Sequence, residues 1–271
     1  MDLLLDEEST IEHLRCGCNW TLPAGAGSPA DRDAFYEFSS HSNTLVWASL
    51  AHRWGKAMKV LTHLLCWQLG MAQGETQTTL AERACLAKHA TAKRRLVEIG
   101  VWHGINTRRL KAVMAPDGIL YAVDPFPKGR LGFSVQRYIA YHEVARERNG
   151  SVRWIRDTGE SAGRAYAAAG GDQIDFIFID GDHTYQGLQN DWETWSLLVG
   201  LGGIVALHDS CSTPERQIDD AGSVRFVRTV ILADPRFEVI EIVDSLTVLH
   251  RQTAPVGVSA VPSTVAGIYP C

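Results

Sequence analysis

The run Leu96-Val97-Glu98-Ile99-Gly100-Val101-Trp102-His103-Gly104 constrains this chain more than any other stretch. An apolar strand carrying Glu98 leads into a turn held by Gly100 and Gly104. A nucleotide-like ligand sits against such a turn in open α/β sheets. A dinucleotide fingerprint needs Gly-x-Gly-x-x-Gly, because its second glycine lets the backbone approach a pyrophosphate. Here Trp102 and Ile105 stand at the second and third glycine positions. An indole leaves no room for a pyrophosphate, which counts against a nicotinamide dehydrogenase. The turn fits a ligand with adenosine and no phosphate.

From Leu96 onward strands alternate with helices, the mark of a parallel sheet. The pattern predicts strands at 96–99, 118–123, 152–155, 174–179 and 204–207. It places helices at about 104–114, 131–148, 161–169, 187–199 and 223–233, and a turn at Gly202-Gly203. Segments 237–243 and 246–250 flank Asp244-Ser245 as a hairpin. Upstream, Thr44 to Gly70 reads as a helix with Leu50, Trp54, Ala57, Leu61 and Leu64 on one face. Thr79-Leu80-Ala81-Glu82 is a capping box opening a helix through Ala92. Three segments result: a helical N-terminal cover at 1–74, an α/β domain at 75–251 and a tail at 252–271.

The net charge of −5 argues against nucleic acid as a partner and suits a basic or amine-bearing small substrate. No apolar run reaches membrane-spanning length; Val60 to Ala72 is short and holds His63 and Gln68. The acidic start lacks a signal-peptide layout, so the expectation is a soluble cytoplasmic protein. Cys16-Gly17-Cys18 near His13 has no second cysteine pair at finger spacing and reads as structural or surface thiols. Trp192 and Trp195 read as core, Tyr185 as packing, and Arg94-Arg95 and Arg108-Arg109 as solvated faces.

Four segments occur in order: Glu98 to Gly104, Ala122-Val123-Asp124, Phe178-Ile179-Asp180-Gly181-Asp182-His183-Thr184-Tyr185, and Gly202-Gly203-Ile204-Val205-Ala206-Leu207-His208-Asp209. With these motifs, residues 75–251 resemble the class I S-adenosylmethionine-dependent methyltransferases, within them the branch acting on small molecules and sugars. The resemblance implies an α/β Rossmann-like sheet, mostly parallel, with a C-terminal antiparallel hairpin and a helical N-terminal segment. It implies S-adenosylmethionine as cofactor.

Ligands of open parallel sheets lie beyond the carboxyl ends of the strands. Gly100 and Gly104 would let the backbone pass under the cofactor, with Trp102 between them and Glu98 fixing the loop from behind. Asp124 follows Gly104 by 20 residues, where an acid meets ribose hydroxyls; its alternative is a turn or helix cap. The loop after strand three is implied to hold the adenine, through Asp157, with Glu160 and Ser161 as rivals. Two uses of the later motifs differ in kind. Asp180 and Asp209, with Ser210, would hold Mg²⁺ or another divalent cation that binds the acceptor oxygen. Alternatively a histidine removes the acceptor's proton without metal. Catalytic candidates are His183, Asp180 and His208, and Asp180 also borders the cofactor. His183 is favoured as base, because strand alternation turns His208 away if Asp209 faces the site. The expected activity is methylation of a hydroxyl on a sugar or glycosylated natural product, as in natural-product biosynthesis. An amino-sugar nitrogen is the alternative acceptor, and a cofactor-binding protein without activity a further one. The expected partner is a small-molecule substrate, with no nucleic acid or membrane; a homo-oligomer is left open.

Overall fold

The computed structural model describes residues 59–129 and 132–252. Strands β1 (Arg95–Ile99), β2 (Ile119–Val123), β3 (Ser151–Ile155), β4 (Ile174–Ile179) and β5 (Val199–Leu207) pair in parallel, and β6 (Phe237–Val243) and β7 (Leu246–Arg251) complete the sheet. The order is β3-β2-β1-β4-β5-β7-β6, with β7 antiparallel to both neighbours. This is the Rossmann-like sheet with a C-terminal hairpin that the alternation predicts.

Helix α1 (59–68) precedes the sheet, and α2 (Leu80–Ala90), α3 (Ile105–Val113), α4 (Val135–Ala145), α5 (Gly159–Ala168), α6 (Tyr185–Trp195) and α7 (Gly222–Thr229) follow. Alternation along β1 divides the core. Val97 and Ile99 join Ile177, Ile179, Leu207, Trp192, Trp195 and Phe226 on one face. Leu96 joins Phe176, Phe178, Leu86 and Leu110 on the other. Trp192 and Trp195 are core, and Tyr185 stacks edge-on against Phe226 at 5.1 Å. Trp67 packs on Val135 and Ile139 and donates to Glu143 Oε1 at 2.7 Å, so α1 is sutured to α4.

Sequence and structure part at Gly202-Gly203. These residues lie inside β5, where the register with β4 shifts between Ile174 and Phe176. Gly202 has φ +78, which accommodates a bulge instead of a turn. No helix among the described residues is long and apolar enough to cross a membrane. The predicted helix over 44–58, Cys16-Gly17-Cys18 and residues 253–271 lie outside the described residues.

Candidate active site

Register builds the site. Ile99 pairs with Val123 and Ile179, Val123 with Ile155, and Ile179 with Leu207. The residues one step beyond, Gly100, Asp124, Arg156, Asp180 and His208, therefore leave the sheet at one edge. Strand order reverses between β1 and β4, the switch point where open α/β sheets bind ligands. A cleft of about 590 Å³ opens there. Gly100, Trp102, Asp124, Asp157, Asp180 and His183 line it, as do Glu75, Thr76, Gln77 and Asp191. A Cβ on Gly100 would lie 1.9 Å from the Asp180 carbonyl oxygen, so only glycine lets β1 and β4 meet at this point.

Asp124 does more than border the cleft. Its Oδ2 accepts from the N–H of Val101 at 3.0 Å and of Trp102 at 3.2 Å, and its Oδ1 from Phe126 N–H at 2.7 Å. It thus holds the glycine turn, with Trp102 in a left-handed conformation (φ +53) and half exposed in the cleft. That task was expected of Glu98. Glu98 is instead completely buried on the α2–α3 side beside Thr107, does not line the cleft, and makes no well-formed hydrogen bond among the described residues. Burial pushes its carboxyl well above the usual range, and the charges of Asp180 and Asp124 push the same way. Gly104 is also not at the cleft: it begins α3 at φ +75, and a Cβ there would meet the Ala140 carbonyl oxygen at 3.0 Å. Its role is helix packing. Asp157 lines the cleft and also accepts from Thr158 N–H and Ser161 Oγ, both at 2.8 Å; Glu160 shares the lining, Ser161 does not.

At the ends of β4 and β5 the candidate histidines separate. His183 Nε2 is 3.7 Å from both Asp180 Oδ1 and Asp209 Oδ2, and the ring is exposed to the cleft. His208 is buried and does not reach the cleft, so it is not a proton acceptor for a substrate. Its Nδ1 lies 2.9 Å from Asp180 Oδ1 and its Nε2 3.4 Å from Glu82 Oε2. Burial alone would depress the ring's pKa, but the Asp180 and Glu82 carboxylates prevail and push it up to about 10. His208 is thus an imidazolium that fixes Asp180. Burial raises Glu82, but His208, the Thr79 N–H and Ser245 outweigh it and hold the carboxyl at about 2.

The predicted cation ligands do not come together. Arg216 binds both oxygens of Asp209, its Nη2 at 2.8 Å from Oδ2. Ser210 Oγ turns toward β7, at 2.7 Å from both Ser245 O and Thr247 Oγ1. A guanidinium and an imidazolium already neutralise the carboxylates that Mg²⁺ would need. As arranged, Asp180, Asp209 and Ser210 do not fit that ion.

Residues 97–210 match the family model described as a methyltransferase domain. The chain carries a methyltransferase domain. Solved structures share its fold. The O-methyltransferase TomG from Streptomyces achromogenes, involved in tomaymycin synthesis and solved with S-adenosylmethionine, aligns at TM-score 0.51 and 15% identity, over 72% of this chain and 88% of that one. Cofactor-bound Rv0187 from MTB aligns at 0.51 and 16%, over 72% and 90%. A Corynebacterium glutamicum protein aligns at 0.50 and 14%, over 72% and 90%. At such identities the likeness concerns the fold. The domain match and the shared fold agree on a methyltransferase.

Several residues of this methyltransferase escaped the sequence. Glu82 reads there only as a helix cap, and Arg216 lies in a loop without pattern. Asp191 had a signal: it shares the buried stripe of α6 with Leu188, Trp192 and Trp195, where an acid has no place in a core. Burial, then the charges of Asp182 and Glu160, push its carboxyl up to about 7.

Proposed function

We propose that this methyltransferase alkylates a hydroxyl of a small polar molecule, a sugar or a glycosylated natural product, with His183 as the proton acceptor. The cleft fits the cofactor: Gly100, Trp102, Asp124 and Asp157 would hold S-adenosylmethionine at the switch point. When bound, that cofactor supplies an electrophilic methyl group. The chain must hold the acceptor atom and take up its proton.

His183 carries the reading. Among the described residues it is the one histidine that lines the cleft, and its Nε2 faces two carboxylates at 3.7 Å. The two carboxylates flank the ring. Asp180 is held for this role by buried His208, and Asp209 by Arg216. The charge of the cleft supports the substrate class. Among the described residues that line it, seven are Asp or Glu and none is Lys or Arg. Phosphate-rich polymers need the opposite sign. Carboxylates instead accept hydrogen bonds from sugar hydroxyls. The same acidity favours an amine-bearing acceptor, so an amino-sugar nitrogen is the second reading.

Incubating the protein with S-adenosylmethionine and a panel of neutral sugars, amino sugars and glycosides, with product mass and connectivity determined, tests both. A methyl ether supports the first reading and an N-methyl product the second. Methylation confined to nucleic acid or protein refutes both.

A further inference from the structure

His63, Glu75 and His103 come from three separate elements: helix α1, the segment before α2, and the turn after β1. Their ligand atoms all lie within 4.8 Å of one another. Glu75 stands between the two imidazoles, with Oε1 3.6 Å from His63 Nδ1 and Oε2 3.9 Å from His103 Nδ1. Both separations are too long for hydrogen bonds. They are close to the separation of two ligands on one tetrahedral ion, about 3.3 Å for bonds of about 2.0–2.1 Å. The rings stand 5.3 Å apart and nearly parallel, 9° between planes. His103 is buried, and His63 Nε2 has no hydrogen-bond partner among the described residues.

We propose that His63, Glu75 and His103 form a binding site for a divalent transition-metal cation of the zinc type at the rim of the cofactor cleft. Two imidazoles and one carboxylate suit such an ion, which accepts nitrogen ligands that Mg²⁺ and Ca²⁺ avoid. His103 Nδ1 accepts the Glu75 backbone N–H at 3.0 Å, so this nitrogen carries no proton; metal binding exchanges that hydrogen bond for a coordinate bond. A second three-residue group, Cys85, His89 and Glu241, provides the contrast. There the Lys88 ammonium lies 2.9 Å from Glu241, a cation already in place. Among the described residues no Lys or Arg side chain pairs with Glu75 in this way. The ion would tie α1 to the turn after β1. Glu75 and Trp102, the neighbour of His103, both line the cleft, so the tie would stiffen one wall of it. The site is separate from Asp180 and Asp209 and does not depend on the acceptor.

The test is titration of the chelator-treated protein with Zn²⁺ by calorimetry and with Co²⁺ by visible absorption. One equivalent is expected to bind, with a Co²⁺ spectrum of nitrogen-ligated four- or five-coordinate metal. His63→Ala and His103→Gln should each weaken binding at least tenfold, with His89→Ala and Asp180→Asn unchanged. Circular dichroism confirms that the variants fold. His63 is partly exposed on α1, so at least His63→Ala should fold and give a reading. No binding by the wild type, binding that survives His63→Ala, or binding that disappears with His89→Ala or Asp180→Asn would overturn the proposal.

Discussion

Single side chains at the ends of β4 and β5 perform opposite electrostatic tasks. His183 stands at the cleft with carboxylates facing it, and His208 is spent on holding Asp180. His183→Ala should lower kcat by roughly 10²–10⁴-fold, the usual contribution of a positioned base. Cofactor affinity, measured by calorimetry, should change little. His208 predicts a different signature. Its folded pKa, about 10, lies above the unfolded value of 6.5, so its stabilisation is complete below pH 6.5 and is lost as pH rises toward 10. Urea unfolding should show stability declining across that window, and His208→Gln should flatten the decline. An equal slope in the variant would mean the ring is not charged in the folded state. The division between the two histidines was half legible. His208 does lie away from the cleft, but not by alternation: it and Asp209 stand beyond the end of β5, Asp209 at φ +49 is buried as well, and Glu82, 126 residues distant in sequence, gave no sign that it would be the partner.

Elements carry the next layer, and α2 shows how one residue serves two of them. The capping box forms as the pattern Thr79-Leu80-Ala81-Glu82 predicts, with Thr79 Oγ1 accepting from Glu82 N–H at 3.1 Å and Glu82 Oε2 from Thr79 N–H at 2.8 Å. The same carboxylate accepts from Ser245 N–H at 2.9 Å and Oγ at 2.7 Å in the β6–β7 turn, and faces His208. Thr79→Ala removes a cap and should cost about 1 kcal/mol. Glu82→Ala also strands a buried imidazolium and should cost about 3–5 kcal/mol. Denaturant titration of both variants checks the difference; equal costs would show that the link to His208 adds nothing. The element boundaries themselves were readable because apolar runs such as Ile174–Ile179 are fully buried strands. Gly202-Gly203 misled because a bulged strand and a turn both ask glycine for positive φ. Only the pairing of β5 with β4 distinguishes them.

At the scale of the whole molecule, register turns separate motifs into a single charged surface. Gly100, Asp124 and Asp180 are far apart in the chain, yet each follows a strand that ends level with its neighbours. The sequence made that convergence legible, because the switch-point rule needs only strand order. It did not disclose the charge balance, since Glu75 and Asp191 enter the cleft from segments without a motif. Among the described lining residues seven are acidic and none is Lys or Arg, so even with Asp180 paired to His208 and Asp191 raised to about 7 the cleft is a negative well in low-dielectric walls. Acceptor choice should follow this field. Among analogues of one sugar, neutral and amine-bearing forms should be methylated, and phosphorylated forms should show kcat/KM at least tenfold lower. The penalty should shrink with added salt, because exposed charges are screened over about 8 Å at physiological ionic strength. Steady-state kinetics of the three analogues at low and high salt makes the comparison. If the phosphorylated sugar is preferred, a cation from outside the described cleft must complete the acceptor site, and the field derived from these residues is not the one the acceptor meets.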